Sequence, residues 1–171
     1  MALTLALLGR QSEARIVTNK MDKSAPRDIL TGSYIVPVVR AAGELKSSNP
    51  GGAISLLKTA DPYELGELNL PPNALYPAYL RGLAYLKAGQ GQQAAAEFQK
   101  VIDHPGIVLV HIQGALARLG LGRAYALEAQ TDPAYREKAR TAYQTFLTLW
   151  KDADPDIPIY KEAKAEYAKL Q

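Results

Sequence analysis

One spacing constrains this chain more than any other feature. Gly82, Tyr85, Ala94, Phe98 and Val101 are followed by Pro105, and the pattern recurs as Gly122, Tyr125, Ala139, Tyr143 and Phe146. The second copy carries five extra residues between its Tyr and its Ala. A degraded copy reads Ala41, Glu44, Ala53, Leu57 and Ala60, and another begins in mid-repeat as Leu5, Ala14, Thr18, Met21 and Pro26. Offsets of three, four and seven place residues on one face of a helix. Small residues at Gly82 and Ala94 allow two helix backbones to approach to roughly 8–10 Å, with Tyr85 and Phe98 filling the flanking space. The spacing therefore predicts a helical hairpin, turned at Ala88-Gly89-Gln90-Gly91. Gly89 ends the first helix with a positive φ, and Pro105 stops the second.

Read this way the chain is all helix. A partial repeat covers 1–26 and fuller repeats cover 28–62, 74–105 and 110–151. Their helix pairs run over 28–47 with 51–60, 74–88 with 92–103, and 110–129 with 134–151. A capping helix over 157–170 puts Tyr160, Ala163, Tyr167 and Leu170 on one stripe. Ile107 to Val110 is the single β-like run, too short to build a sheet. The 171 residues suit one domain or a short repeat array.

Several function classes fall away. The chain has no Cys, which removes disulfides and thiolate chemistry. Its 20 basic and 17 acidic residues are interspersed, so no concentrated basic stripe marks a nucleic-acid surface. Met1 to Gly9 is apolar but far short of the roughly 20 residues of a membrane helix, and it lacks a basic signal-peptide start. It reads as the buried side of a truncated helix, and the expected location is cytoplasmic. Asp152, Asp154 and Asp156 alternate as a calcium loop begins, but Ile157 stands where that loop needs Gly and Ala163 where it needs Glu. A helix-to-helix turn with Asp156 as N-cap is the expectation there. Gly120-Leu121-Gly122 opens like a dinucleotide fingerprint, yet Tyr125 replaces its third Gly. His104 and His111 lack partners at metal-ligand spacing. No Ser or Thr sits in a nucleophile elbow. No cofactor, metal or catalytic set is expected.

The Gly82, Tyr85, Ala94, Phe98 set and its relative at 122–143 resemble the tetratricopeptide repeat (TPR). The motif's leading Trp is absent, and Arg81 precedes Gly82 where the family usually has Leu. The equivalent Ala residues at 14, 53, 94 and 139 are 39, 41 and 45 apart, against roughly 34 in regular arrays. The phrases YPAYLRGLAYL, AAAEFQKVIDHPGI and FLTLWKDADPDIPIYKEAKAEYAKLQ are similar to the C-terminal TPR region of bacterial eukaryotic-type serine/threonine kinases and related winged-helix regulators. The resemblance implies a right-handed TPR-like array of antiparallel hairpins acting as a non-catalytic interaction module. The alternatives are a regulatory tail of such a kinase, whose catalytic elements are not in this chain, and a self-association module.

In such an array the first helix of each pair lines a groove. The predicted groove face is Tyr76, Tyr79, Leu83 and Leu86, continued by Leu116, Leu119 and Arg123, with Lys87 as a further cation. The competing expectation is that this face simply packs against the 61–73 linker. TPR domains that clamp a peptide carboxylate use Lys, Asn and Arg on this face, and Tyr79 and Leu83 stand there instead. An apolar protein or peptide segment is therefore the expected partner, without nucleic acid or membrane. Met1–Leu8 would offer an uncapped apolar edge for homo-oligomer formation. Arg81 falls near the packing face, where an unpaired charge is costly. The sequence predicts that Glu64 or Glu67 pairs with it and pins the linker to the array.

Overall fold

A computed structural model of the protein describes residues 1–66 and 75–171. All regular structure among them is helical. Helices α1 (Ala2–Leu7) and α2 (Gln11–Ser24) form the first hairpin. A π-helical turn, Thr31–Ile35, runs into α3 (Val36–Lys46), which pairs with α4 (Pro50–Leu57) and its 3-10 extension Lys58–Tyr63. Then come α5 (Tyr76–Lys87), α6 (Gly91–Asp103), a single turn α7 (Pro105–Val108), α8 (Gln113–Glu128), α9 (Tyr135–Leu149) and α10 (Pro158–Ala168). Each helix packs on its predecessor or on the one before that, and the first helices α3, α5 and α8 adjoin in order. No described helix is long and apolar enough to cross a membrane.

The turns carry the repeat more faithfully than the helices do. Gly9, Ser48 and Gly89 all have positive φ, at 79°, 57° and 72°. In each turn the next residue's N–H donates to the carbonyl five residues back: Arg10 to Leu5, Asn49 to Glu44, and Gln90 to Tyr85, each at 2.9 Å. This is the Schellman closure, which satisfies carbonyls that a helix end leaves open. Each turn lies five residues before a repeat Ala (14, 53 or 94), and those three are 5%, 0% and 0% exposed. Asn49 adds an N-cap, accepting from the N–H of Gly52 at 3.1 Å.

Between α5 and α6 the predicted close approach occurs. A Cβ on Gly82 would lie 2.7 Å from Phe98 Cε1, and one on Gly120 of α8 would lie 2.5 Å from Phe98 Cζ. The Phe98 ring is thus held in a slot between α5 and α8, fully buried. Gly122 faces Tyr143 in the same way, at 3.0 Å, so the repeat-equivalent pairs make equivalent contacts.

Some boundaries differ from the sequence reading. The π turn precedes Pro37, whose ring cannot donate and would collide with the carbonyl four residues back in a regular helix. Widening that turn accommodates it. Pro105 starts the turn α7, since proline suits the first helical position. The β-like run 107–110 is therefore helical at its start, and α8 begins only at Gln113. Asp156 is not the N-cap of α10. That position is Ile157, and the Asp156 carboxylate accepts from Lys161 Nζ at 2.7 Å.

Arg81 is 2% exposed and Glu64 3%, and the two pair, Nη1 to Oε1 at 2.6 Å and Nη2 to Oε2 at 3.0 Å. Nη1 also donates to the Leu57 carbonyl at 3.2 Å. That direction leaves Glu64 Oε1 with a close ionic contact but no aligned hydrogen bond. Glu97 accepts from Nη2 at 2.7 Å, Asp61 pairs with Nη1, and Lys100 reaches Glu64 at 3.2 Å. Burial works against the Arg81 charge, but bonds to Glu97 and Glu64 outweigh it and hold its pKa above the ordinary value. The cluster ties the 3-10 segment after α4 to α5 and α6. The alternative partner Glu67 lies outside the described residues. Arg81→Leu is expected to cost about 3–5 kcal/mol, because it strands a buried carboxylate. Glu64→Gln added to it should recover part of that loss. Urea denaturation of both variants measures this, and a loss below about 1 kcal/mol would count against the cluster's structural role.

Candidate functional site

The predicted groove divides into two parts with different surroundings. On α5, Tyr76, Tyr79, Leu83 and Leu86 follow one another at offsets of three, four and three, and all are half-buried. Their helix starts cleanly because Pro77 occupies its first turn. Tyr76 and Leu83 pack on the core built around Tyr34, Leu45 and Leu80. Tyr79, Leu83 and Leu86 pack on the core built around Phe98 and Val101. Leu83 touches both, so the row is a seam between two cores and its side chains are held from beneath.

The Tyr79 ring stands edge-on to Phe98, with centroids 5.9 Å apart at 62°, and lies 6.0 Å from the Tyr76 ring. Offset and edge-on pairs are the favoured arrangements for aromatic quadrupoles. Burial, with Tyr76 adding to it, pushes the Tyr79 hydroxyl up to about 12, while the Arg123 charge pulls the other way. The Arg123 charge on α8 is therefore felt at the Tyr79 hydroxyl. For a phenol raised in the folded state, the associated stability is complete below the ordinary value of 10. It is lost as pH climbs from there through about 12.

Arg123 is nevertheless engaged. Its guanidinium forks onto Glu166 of α10, Nε to Oε2 at 2.9 Å and Nη2 to Oε1 at 2.8 Å, and Nη2 also donates to Glu162 at 3.1 Å. Such bidentate charged pairs fix geometry as well as adding energy. Tyr143 donates its hydroxyl to Glu166 at 2.8 Å. Burial and this bond to Glu166 both hold the Tyr143 hydroxyl well above the usual phenol range. Burial opposes the Arg123 charge, and the hydrogen bond to Glu166 overcomes it, so the Arg123 pKa is raised.

Leu119 departs from the expectation. It is 1% exposed and belongs to a core with Tyr143, Phe146, Tyr160 and Ala163, against which Leu116 also packs. Side chains of α9 and α10 together enclose this part of α8, so Leu119 has no surface to offer a ligand. Leu116 keeps partial exposure. Lys87 is also diverted: its Nζ donates to the Leu45 carbonyl at 2.8 Å, a favourable place for a cation near the end of α3. The stretch 61–73 that could overlie the α5 row is described only as far as residue 66.

The residues that sequence reasoning missed are Glu162, Glu166 and the Tyr143 hydroxyl. A signal existed, since Glu162 and Glu166 sit one residue before Ala163 and Tyr167 of the α10 stripe and so edge its buried face. Among the other candidates, His104 Nδ1 lies 2.8 Å from the Lys100 carbonyl, and Asp154 accepts from the Asp156 N–H at 2.8 Å. Gly120 and Gly122 meet Phe98 and Tyr143, as described above. Among the described residues no three His, Asp or Glu side chains gather as a metal site would require.

Comparison of the chain with protein-family models, with curated proteins and with solved structures gives no match.

The Arg123 fork is the polar tie between α8 and α10. Glu166→Gln should weaken it by about 1–2 kcal/mol, because both side chains remain partly solvated. The expected result in hydrogen exchange is faster exchange of the amides of α10, with α5 and α6 unchanged. Unaltered protection of α10 would show that the fork does not hold the helix.

Proposed function

We propose that this chain is a non-catalytic protein-interaction module, a TPR-like scaffold that takes an apolar segment of a partner protein along the α5 row. Its setting on this reading is the cytoplasm, as the C-terminal part of a larger bacterial signalling or regulatory protein. The observation that carries the reading is the seam itself. Tyr76, Tyr79, Leu83 and Leu86 form one half-exposed strip anchored on two cores, and the Arg123 charge is felt at Tyr79. Side chains already ordered by packing lose little freedom when a ligand settles on them. Tyr and Arg are the residue types that dominate binding hot spots. Offsets of three and four along one helix suit an extended or helical segment that inserts its own apolar side chains between them. Arg123 contributes orientation, since Glu162 and Glu166 already share its charge.

Selection from a displayed peptide library with the full chain as bait tests this. Apolar segments should be enriched. Tyr79→Ala with Leu83→Ala should weaken a selected peptide about thirtyfold, equivalent to roughly 2 kcal/mol. Because Tyr79 also supports Phe98, Leu86→Glu serves as a second variant that alters the strip with less disturbance beneath it. Peptides whose affinity is indifferent to all three substitutions, in variants that melt like the parent, would place the binding surface elsewhere.

A further inference from the structure

The net charge of the chain sits at one end. Residues 1–46 carry seven basic and four acidic side chains, the whole of the +3, while 47–171 balance at thirteen of each. Within that basic end, α2 and α3 border a cleft of about 450 Å³ that shares no residue with the α5 row. The volume falls within the roughly 300–1,000 Å³ of small-ligand sites. Small residues keep it open. Ala6, Ala14 and Gly43, all buried, line it, and a Cβ at Gly43 would come within 3.2 Å of Gln11 Oε1. Val39 and Leu56 complete an apolar base.

The walls are polar, and their bonding capacity is only partly used. On α3, Arg40 and Glu44 stand one turn apart, where opposite charges ordinarily meet. Here they do not pair: Arg40 Nη2 donates to Asp22 at 2.7 Å, and Glu44 Oε2 accepts from Asn49 at 2.8 Å. On α2, Gln11 Nε2 donates to the Gly43 carbonyl at 2.7 Å and to the Ser47 hydroxyl at 2.9 Å. Its Oε1, the Arg15 guanidinium and the Asn19 amide take no hydrogen-bond partner among the described residues. Thr18, fully buried at the cleft, gives its proton to the Arg15 carbonyl and keeps its lone pairs. The helices run antiparallel, since Gln11 meets Gly43 and Ser47 while Asp22 meets Arg40. The acceptors Gln11 Oε1 and Glu44 therefore stand toward one end of the cleft, and Arg15 and Arg40 toward the other.

We propose that the α2–α3 cleft binds a small zwitterion with an aliphatic body, an α-amino acid of the leucine type. Its carboxylate lies on Arg15 and Asn19, its ammonium on Glu44 and Gln11 Oε1, and its side chain on Ala14, Val39 and Leu56. Each helix offers an acceptor and a cation one turn apart, which suits a ligand whose two charges are close together. A plain anion would leave Glu44 opposed to it, and a plain cation would face two arginines, whereas a zwitterion answers both. Glu44 and Asp22 likewise stand against a polyphosphate. A planar guanidinium with free donors is the group best shaped to take a carboxylate. The inference is independent of the α5 row.

Titration of the isotope-labelled full chain with L-leucine, followed by amide NMR shifts, tests it. The Arg15 and Gly43 amides should move saturably, with a Kd below about 1 mM. Isocaproate and isoamylamine, each lacking one of the two charges, should bind about tenfold more weakly. Arg15→Gln and Glu44→Gln should each weaken leucine by a similar factor. Arg15 is exposed, and glutamine at 44 retains an oxygen for Asn49, so both variants should melt like the parent. Glu44→Gln should leave isocaproate binding no weaker. Absence of a saturable leucine shift in the millimolar range overturns the proposal. So does leucine binding that neither substitution alters. Isocaproate or inorganic phosphate binding as tightly as leucine would overturn it in favour of a plain anion site.

Discussion

The Phe98 ring, held between Gly82 of α5 and Gly120 of α8, is the contact on which the middle of this molecule depends. A ring in that slot fixes how closely α5, α6 and α8 approach, because any Cβ at either glycine would enter its carbon shell. Two consequences follow directly. Tyr79 can rest its edge on Phe98 only because α5 is this close to α6, so this tyrosine of the groove is positioned by the core below it. Arg81 and Glu97 each immediately precede a member of the Gly82–Phe98 pair, and the same register brings them together at 2.7 Å. Packing and electrostatics in this region share one geometric origin.

The ends of the array are built by other means. At the first three hairpins a residue in the left-handed region closes the turn, and at Ser48 this is done without glycine. In the last repeat the five additional residues before Ala139 replace that turn with a longer one. There Asp132 accepts from the Ala134 N–H at 2.9 Å. The C-terminal cover relies on a polar tie as well as an apolar stripe, since Arg123, Tyr143 and Glu166 join three helices at one point. The third core is the one that includes a helix outside the hairpin series, so a specific bond in place of a recurring packing pair is what it needs.

Much of this was legible in the sequence, and the parts that were not share a cause. The 82–98 hairpin was readable because a small residue and an aromatic one at a fixed separation admit few packings. The Arg81–Glu64 pair was readable because a buried guanidinium requires a carboxylate, and the chain offers two nearby. Glu97 could have been found by sliding the Gly82–Phe98 register back by one residue. Gly120 was obscured because the repeat spacing pointed to Gly122, and both turn out to face aromatic rings. Leu119 was misplaced because periodicity shows that α10 has a buried stripe but not which helix receives it. The Asp156 cap and the start of α8, expected at 110 and found at Gln113, differed at helix ends, where one hydrogen bond decides the boundary. Local spacing carries over into structure wherever a steric pair enforces it, and long-range docking leaves a weaker trace.

The clamped ring is tested most directly by a double-mutant cycle between Gly120→Ala and Phe98→Leu, followed by urea denaturation. Beside Phe98, the added methyl should destabilise the protein by about 1–3 kcal/mol through overpacking. In the Phe98→Leu background the ring is gone, and the same substitution should become neutral or stabilising, because alanine favours a helix over glycine by about 1 kcal/mol. That change of sign is the predicted result. Equal effects of Gly120→Ala in both backgrounds would contradict the account and detach Phe98 from the spacing of the helices.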